Sequence, residues 1–172
     1  MTTLSNLLTK DAELSRRILI PDHKAVLKKT AALFAHSGDS WLIGAGLALL
    51  WGFGPKAWRT DIQLLFIGIV ITALAVLMLK FTIKRPRPKG EWGQIYRSSD
   101  PHSFPSGHAA RATMLTLLIL LSGQIWLGLL MILWTLLVAA ARVGLGVHYL
   151  SDILVGITIG AIIGGIVFLI FG

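Results

Sequence analysis

Apolar residues in this chain come in long blocks and not in alternation. Five blocks stand out, at 31–53, 61–81, 108–121, 125–143 and 150–171, separated by Gly, Pro and charged residues. Blocks of this kind predict helices, and a helix that crosses a bilayer needs about 20 such residues. The expected fold is all-α: an integral membrane bundle of about five transmembrane helices. The first block is the least regular. Its purely apolar part begins only at Trp41, so a span there recruits 31–40 and carries Asp39 inside it or at its edge. A carboxylate within a membrane costs about 2.5–3.5 kcal/mol on insertion scales. The run Ser37-Gly38-Asp39-Ser40 therefore reads first as a helix cap. In the fifth block Gly156, Gly160, Gly164 and Gly165 form a small-residue face suited to close helix packing.

Ahead of these blocks, Leu4, Leu7, Leu8, Leu14 and Ile18 share one helical stripe, with Arg16 and Arg17 away from it and Pro21 ending it. This predicts an amphipathic N-terminal helix. It either lies in the headgroup plane as an interfacial helix or packs on the protein's own core. The division expected is an amphipathic segment at 1–30 and a transmembrane domain at 31–172.

Composition agrees with lipid as the solvent. Hydrophobic residues make up 55% and charged residues 14%, against about 25% charged in soluble domains. There is no cysteine, which excludes disulfides, thiolate metal sites and a cysteine nucleophile. The net charge of +8 then points to membrane-surface charge or anionic headgroups, and nucleic acid is not expected as a partner. No cleavable signal pattern is visible at the N-terminus.

Counting chain reversals gathers the charged motifs. Lys80 ends the second span, His108 starts the third, Arg142 ends the fourth and Asp152 starts the fifth, so all four fall on one membrane face. The polar stretch 82–107, with Lys84, Arg85, Arg87, Lys89, Glu91, Trp92, Arg97, Asp100 and His102, lies on the same face, and its prolines forbid a regular helix at 85–88. Cations placed where a membrane penalises them need an anionic partner. Lys80, Arg87 and Arg142 suit phosphate, because the guanidinium fork matches two phosphate oxygens. His148 and Asp152 are i and i+4 and meet on one helix face. A carboxylate on one ring nitrogen fixes the tautomer and leaves the other nitrogen to attack. His108 adds a second imidazole that can protonate a leaving oxygen. Dense positive charge repels a divalent cation, so no metal and no cofactor is expected.

The sequence resembles the type 2 phosphatidic acid phosphatase (PAP2) superfamily, which also contains the vanadium haloperoxidases. The resemblance rests on three motifs in order. They are Lys80 through Arg87-Pro88, then Pro105-Ser106-Gly107-His108, then Arg142 through His148 and Asp152. It covers roughly 37–172. It implies that His148 is a nucleophile forming a phosphohistidine and is oriented by Asp152. His108 is implied as the acid and then the base, and Lys80, Arg87, Ser106, Gly107 and Arg142 as the phosphate cradle, with no metal. Ala141 stands where the family usually has Ser. Arg85 and Arg111 are candidate headgroup contacts. The alternative for Arg111 is a structural ion pair, with Asp100 as a partner.

The implied activity is hydrolysis of a lipid phosphate or diphosphate, of the undecaprenyl diphosphate, phosphatidate or phosphatidylglycerophosphate type. The alternatives are a phosphotransferase, a polyprenyl-phosphosugar phosphatase with a cytoplasmic site, or a non-catalytic lipid-binding protein. The expected location is the cell membrane, multi-pass. Sidedness stays open: the positive-inside rule puts the motif face in the cytoplasm, whereas bacterial members of the family commonly face outward. Oligomeric state is equally open.

Overall fold

A computed structural model describes residues 3–90, 92–93 and 100–172. Seven helices and one 3₁₀ turn occur among them: α1 (Thr3–Arg17), α2 (Ala25–Ser37), α3 (Ser40–Phe53), the turn Lys56–Trp58, α4 (Arg59–Ile83), α5 (Gly107–Leu121), α6 (Ile125–Gly144) and α7 (Leu150–Phe171). The fold is all-α, with no strand among the described residues. Glu91 and Arg97, placed on the motif face from sequence, lie outside the described residues.

Three stretches are long and apolar enough to cross a bilayer: Lys56–Ile83, α6 and α7. The apolar helices α3 and α5 have 14 and 15 residues. At 1.5 Å per residue they reach only about 21–23 Å, less than the ~30 Å hydrocarbon core. Length and composition thus qualify three of the five expected spans. The first block also differs from a continuous helix over 31–53, because Gly38 and Asp39 divide it into α2 and α3.

Helix α5 tolerates its shortness because protein surrounds it. It packs against α4, α6 and α7 and buries Ala109, Ala110, Arg111, Ala112, Met114, Leu115, Thr116 and Leu118. Its contact with α7 depends on glycine. A Cβ at Gly156 would lie 2.6 Å from Ser106 O, and one at Gly160 would lie 2.1 Å from Ala110 O. Of the small-residue face expected in α7, Gly156, Gly160 and Gly164 therefore form the surface that meets α5, whereas Gly165 has open space around it. On α6, Thr135 and Thr116 of α5 share a hydrogen bond of 2.9 Å. Outward-facing residues such as Val70, Leu74 and Met78 on α4 or Leu169 on α7 form an apolar belt, as lipid contact requires.

Helix α1 does not bury its leucine stripe in the core as a soluble amphipathic helix does. Leu7, Leu8, Leu14 and Ile18 of its stripe are exposed. Asp11 and Ser15, which fall within that stripe, face the protein instead: Ser15 Oγ accepts from Leu150 N at 2.9 Å and Asp11 Oδ1 accepts from Ser151 N at 3.0 Å. The first N–H groups of a helix have no intrahelical acceptor, so α1 caps α7 from across the chain. Ile20 N donates to Gly144 O at 2.9 Å and closes the same junction.

Candidate active site

The C-terminal ends of α4 and α6 and the N-terminal ends of α5 and α7 meet on one side, and the expected site residues gather there. Lys80 sits in the last turn of α4. Arg85 and Arg87 follow on an extended segment pinned by the Pro86–His102 bridge and by Ser103 N donating to Arg85 O at 2.8 Å. Ser106 takes the N-cap position of α5, where its Oγ accepts from Ala109 N at 3.4 Å and its own N–H donates to Asp152 O at 3.0 Å. Gly107 opens that helix against Val76. Arg142 lies in the last turn of α6, and its carbonyl accepts from Val147 N and His148 N at 3.0 and 3.2 Å. That tight turn delivers His148 next to Arg142.

Lys80, Arg87, Arg142, His148 and Asp152 are each 5% exposed or less. Burying three cations requires anionic or hydrogen-bonding partners. In this structure Asp100 is one of them. Its carboxylate bonds the Lys80 ammonium and lies 2.8 Å from Arg87 Nη2, while its carbonyl accepts from Arg87 Nε at 2.7 Å. Burial works against charge on Asp100, but Lys80 and Arg87 outweigh it and hold the carboxyl below its ordinary range.

The geometry assigns the two nitrogens of His148. Nε2 lies 3.3 Å from Arg87 Nη1 and accepts from it, since a guanidinium can only donate. The ring proton is then on Nδ1, which faces Asp152 Oδ2 at 3.5 Å. That separation is in ion-pair range and longer than a formed hydrogen bond; such contacts often shorten only when substrate binds. Burial, reinforced by Arg142, Arg87 and Lys80, pushes the imidazole well below its ordinary value. His148 is therefore neutral, with its Nε2 lone pair directed at the cations.

Asp152 is held in turn. Its Oδ2 accepts from Tyr149 N at 2.9 Å and its Oδ1 from Arg85 Nη1 at 2.7 Å. Arg85 also donates to Asp11 Oδ2 at 2.7 Å and stacks 4.0 Å over the Tyr149 ring. The structure thus places Arg85 between two carboxylates behind His148. Arg111 is 6% exposed and donates to Gly38 O at 2.9 Å; Asp100 is engaged elsewhere. Ala141 packs with Ala31, Ala35, Leu145 and Val147 between α2 and α6, where a small side chain fits the helix contact.

His108 Nε2 meets Asp39 Oδ1 at 2.7 Å, and His36 Nδ1 meets Asp39 Oδ2 at 3.1 Å. Asp39 does hold the N-cap position of α3, as the sequence suggested, but its side chain makes no capping hydrogen bond. Sequence reading also missed Asp11 and Ser15. Their signal was a polar pair in an otherwise apolar-striped helix. For Asp39 the signal was a carboxylate inside an apolar block.

Beside His148, a cavity of about 300 Å³ opens between α1 and the chain following α4. Ala12, Ser15 and Leu19 line one side, Pro88 and Val143 the other, and Arg16 and Lys89 add two cations.

A bundle of apolar helices whose mouth holds a histidine–carboxylate pair, a second histidine and three buried cations defines a membrane phosphatase. The chain belongs to the PAP2 superfamily, whose model matches residues 61–172. It is 30% identical over 142 residues to the decaprenylphosphoryl-5-phosphoribose phosphatase of Mycobacterium tuberculosis, covering 80% of this chain and 77% of that protein. Among solved structures it is similar to Aquifex aeolicus LpxE, with a TM-score of 0.73 and 27% identity over 91% of this chain and 93% of that one. It also shares the fold of the transmembrane PAP2-type phosphatidylglycerolphosphate phosphatase from Bacillus subtilis. The TM-score there is 0.78, with 22% identity over 96% of this chain and 86% of that one.

Proposed function

We propose that this protein hydrolyses a lipid phosphate without a metal, through a phosphohistidine on His148. The observation that carries the reading is the neutral His148 Nε2 turned toward buried cations, with Asp152 behind its other nitrogen. In the first step Nε2 attacks phosphorus and the bond from phosphorus to the lipid oxygen breaks. His108 gives its proton to that oxygen, and the lipid leaves as an alcohol or, from a diphosphate, as a monophosphate. In the second step His108 takes a proton from water, whose oxygen attacks phosphorus. The N–P bond breaks and inorganic phosphate leaves. Lys80, Arg87 and Arg142 stabilise the charge on the equatorial oxygens, usually the largest share of such catalysis. Asp100 yields Lys80 and Arg87 to the phosphate.

The substrate reading favoured is a polyprenyl-linked phosphosugar. The Mycobacterium relative acts on decaprenylphosphoryl-5-phosphoribose by name. The cavity at His148 has the volume for a sugar, with Arg16 and Lys89 available to a second phosphate. The test is phosphate release by detergent-purified protein with EDTA present, using a polyprenyl-phosphosugar monophosphate, undecaprenyl diphosphate, phosphatidate and phosphatidylglycerophosphate. EDTA-resistant release that vanishes in His148→Ala is expected. Release unchanged by that substitution refutes the mechanism, and preference for a diacyl substrate refutes the polyprenyl reading.

A further inference from the structure

We propose that Asp39 is the positioning residue of the general acid, forming with His108 a second histidine–carboxylate pair opposite His148 and Asp152. The proposal rests on the roles of His148 and His108 given above. Asp39 lies outside the stretch matched by the family model.

Four observations support it. The Asp39–His108 contact is 2.7 Å, with the carboxylate 20% and the imidazole 15% exposed. Bonding of Nε2–H to Asp39 leaves Nδ1 as the nitrogen for the leaving oxygen. Asp39 also supplies a negative charge that an imidazolium needs beside Arg111 and Arg142.

Asp39 forgoes the role its position offers. An N-cap aspartate normally accepts from the first turn of its helix; this one spends both oxygens on His108 and His36. A local rule broken at a half-buried carboxylate that bonds an imidazole is the pattern expected of a functional position.

The helix break that presents Asp39 is built against the imidazole. A Cβ at Gly38 would stand 3.0 Å from His108 Cδ2 and 3.3 Å from Val138 Cγ1. Any larger residue there would push the ring or the turn away.

The break is also anchored. Arg111 donates to Gly38 O at 2.9 Å, and Trp134 Nε1 donates to Ser37 Oγ at 2.9 Å. Arg111 thus fixes the turn that fixes Asp39, which fixes His108.

The experiment compares leaving groups in purified Asp39→Asn. An alkyl lipid phosphate needs a proton on its leaving oxygen, whereas nitrophenolate departs from p-nitrophenyl phosphate without one. Asp39→Asn should lower kcat on the alkyl substrate about 10–100-fold with KM little changed, less than the ~10²–10⁴ expected for loss of the acid itself. It should retain the rapid first-turnover burst of nitrophenolate while slowing later turnovers, because water attack still needs His108. Asp39→Glu, which keeps the charge, should recover part of the alkyl rate; it replaces Asp39→Asn in the comparison if that variant does not fold. An equal fall in burst rate and alkyl cleavage, or no fall in alkyl cleavage, overturns the proposal. His148→Ala is the separate control. A burst that survives it overturns the nucleophile assignment and leaves the Asp39 comparison readable.

Discussion

If Lys80 and Arg87 hold the substrate phosphate as proposed, Asp100 competes with it, and this can be measured. Its carboxylate engages Lys80 and Arg87, both almost fully buried, while itself 41% exposed. A phosphate entering the cradle must displace it. The contacts are partly screened, and exposed ion pairs are worth about 0.2–1 kcal/mol each. Two of them set the displacement cost at about 0.4–2 kcal/mol, or roughly 2–30-fold in affinity. Asp100→Asn should therefore tighten competitive inhibition by orthovanadate or inorganic phosphate by about that factor. Without added anion the variant should also melt lower, because two buried cations lose a charged partner, and phosphate should restore its melting temperature more than it does for wild type. The assay is inhibition of phosphate release together with thermal shift in detergent. Because pairing holds the Asp100 carboxyl low, the contact persists as pH falls to the ordinary value near 3.8 and is lost only as pH falls through the lower folded-state value. The wild-type handicap should thus be constant across neutral pH. Unchanged or weaker anion binding in Asp100→Asn would refute the reasoning, for it would mean that the carboxylate organises the cations for phosphate.

Asp11→Ala removes the acceptor of Ser151 N, Ser151 Oγ and Arg85. It should cost about 2–4 kcal/mol in denaturant unfolding and lower kcat through Arg85 and Asp152; an unaltered kcat would show that α1 does not reach the catalytic pair. Gly160→Val should separate α5 from α7, since even a Cβ falls 2.1 Å from Ala110 O. A loss of at least about 3 kcal/mol or failure to fold is expected in a detergent melt. Because burial and its cations hold free His148 well below 6.5, kcat/KM should not halve near pH 6.5 on the acid side through this group. Arg87→Gln removes one cation and should move the His148 limb upward, and a limb that stays in place would remove Arg87 from the causes.

The apolar blocks, the three motifs and their convergence on one face were legible in the sequence, because helix periodicity and lipid exclusion of charge act locally. His108, His148, Asp152, Lys80 and Arg142 could be picked out for the same reason, each standing at the end of an apolar run, while Arg87 was picked out of a polar stretch by its spacing from Lys80. The glycine face of α7 was equally visible, though its partner was not. What a polar residue bonds to depended on the tertiary structure. Asp39 read as a cap because capping is a local interaction, yet His108 comes from 69 residues away. Asp11 reaches Ser151 over 140 residues, and Asp100 reaches Lys80 over 20. The exposure of the α1 leucines was likewise decided by the tertiary structure. Sequence alone determined which groups the membrane would force together. Packing decided which carboxylate answers each cation and each imidazole, because that pairing depends on distances no local pattern carries.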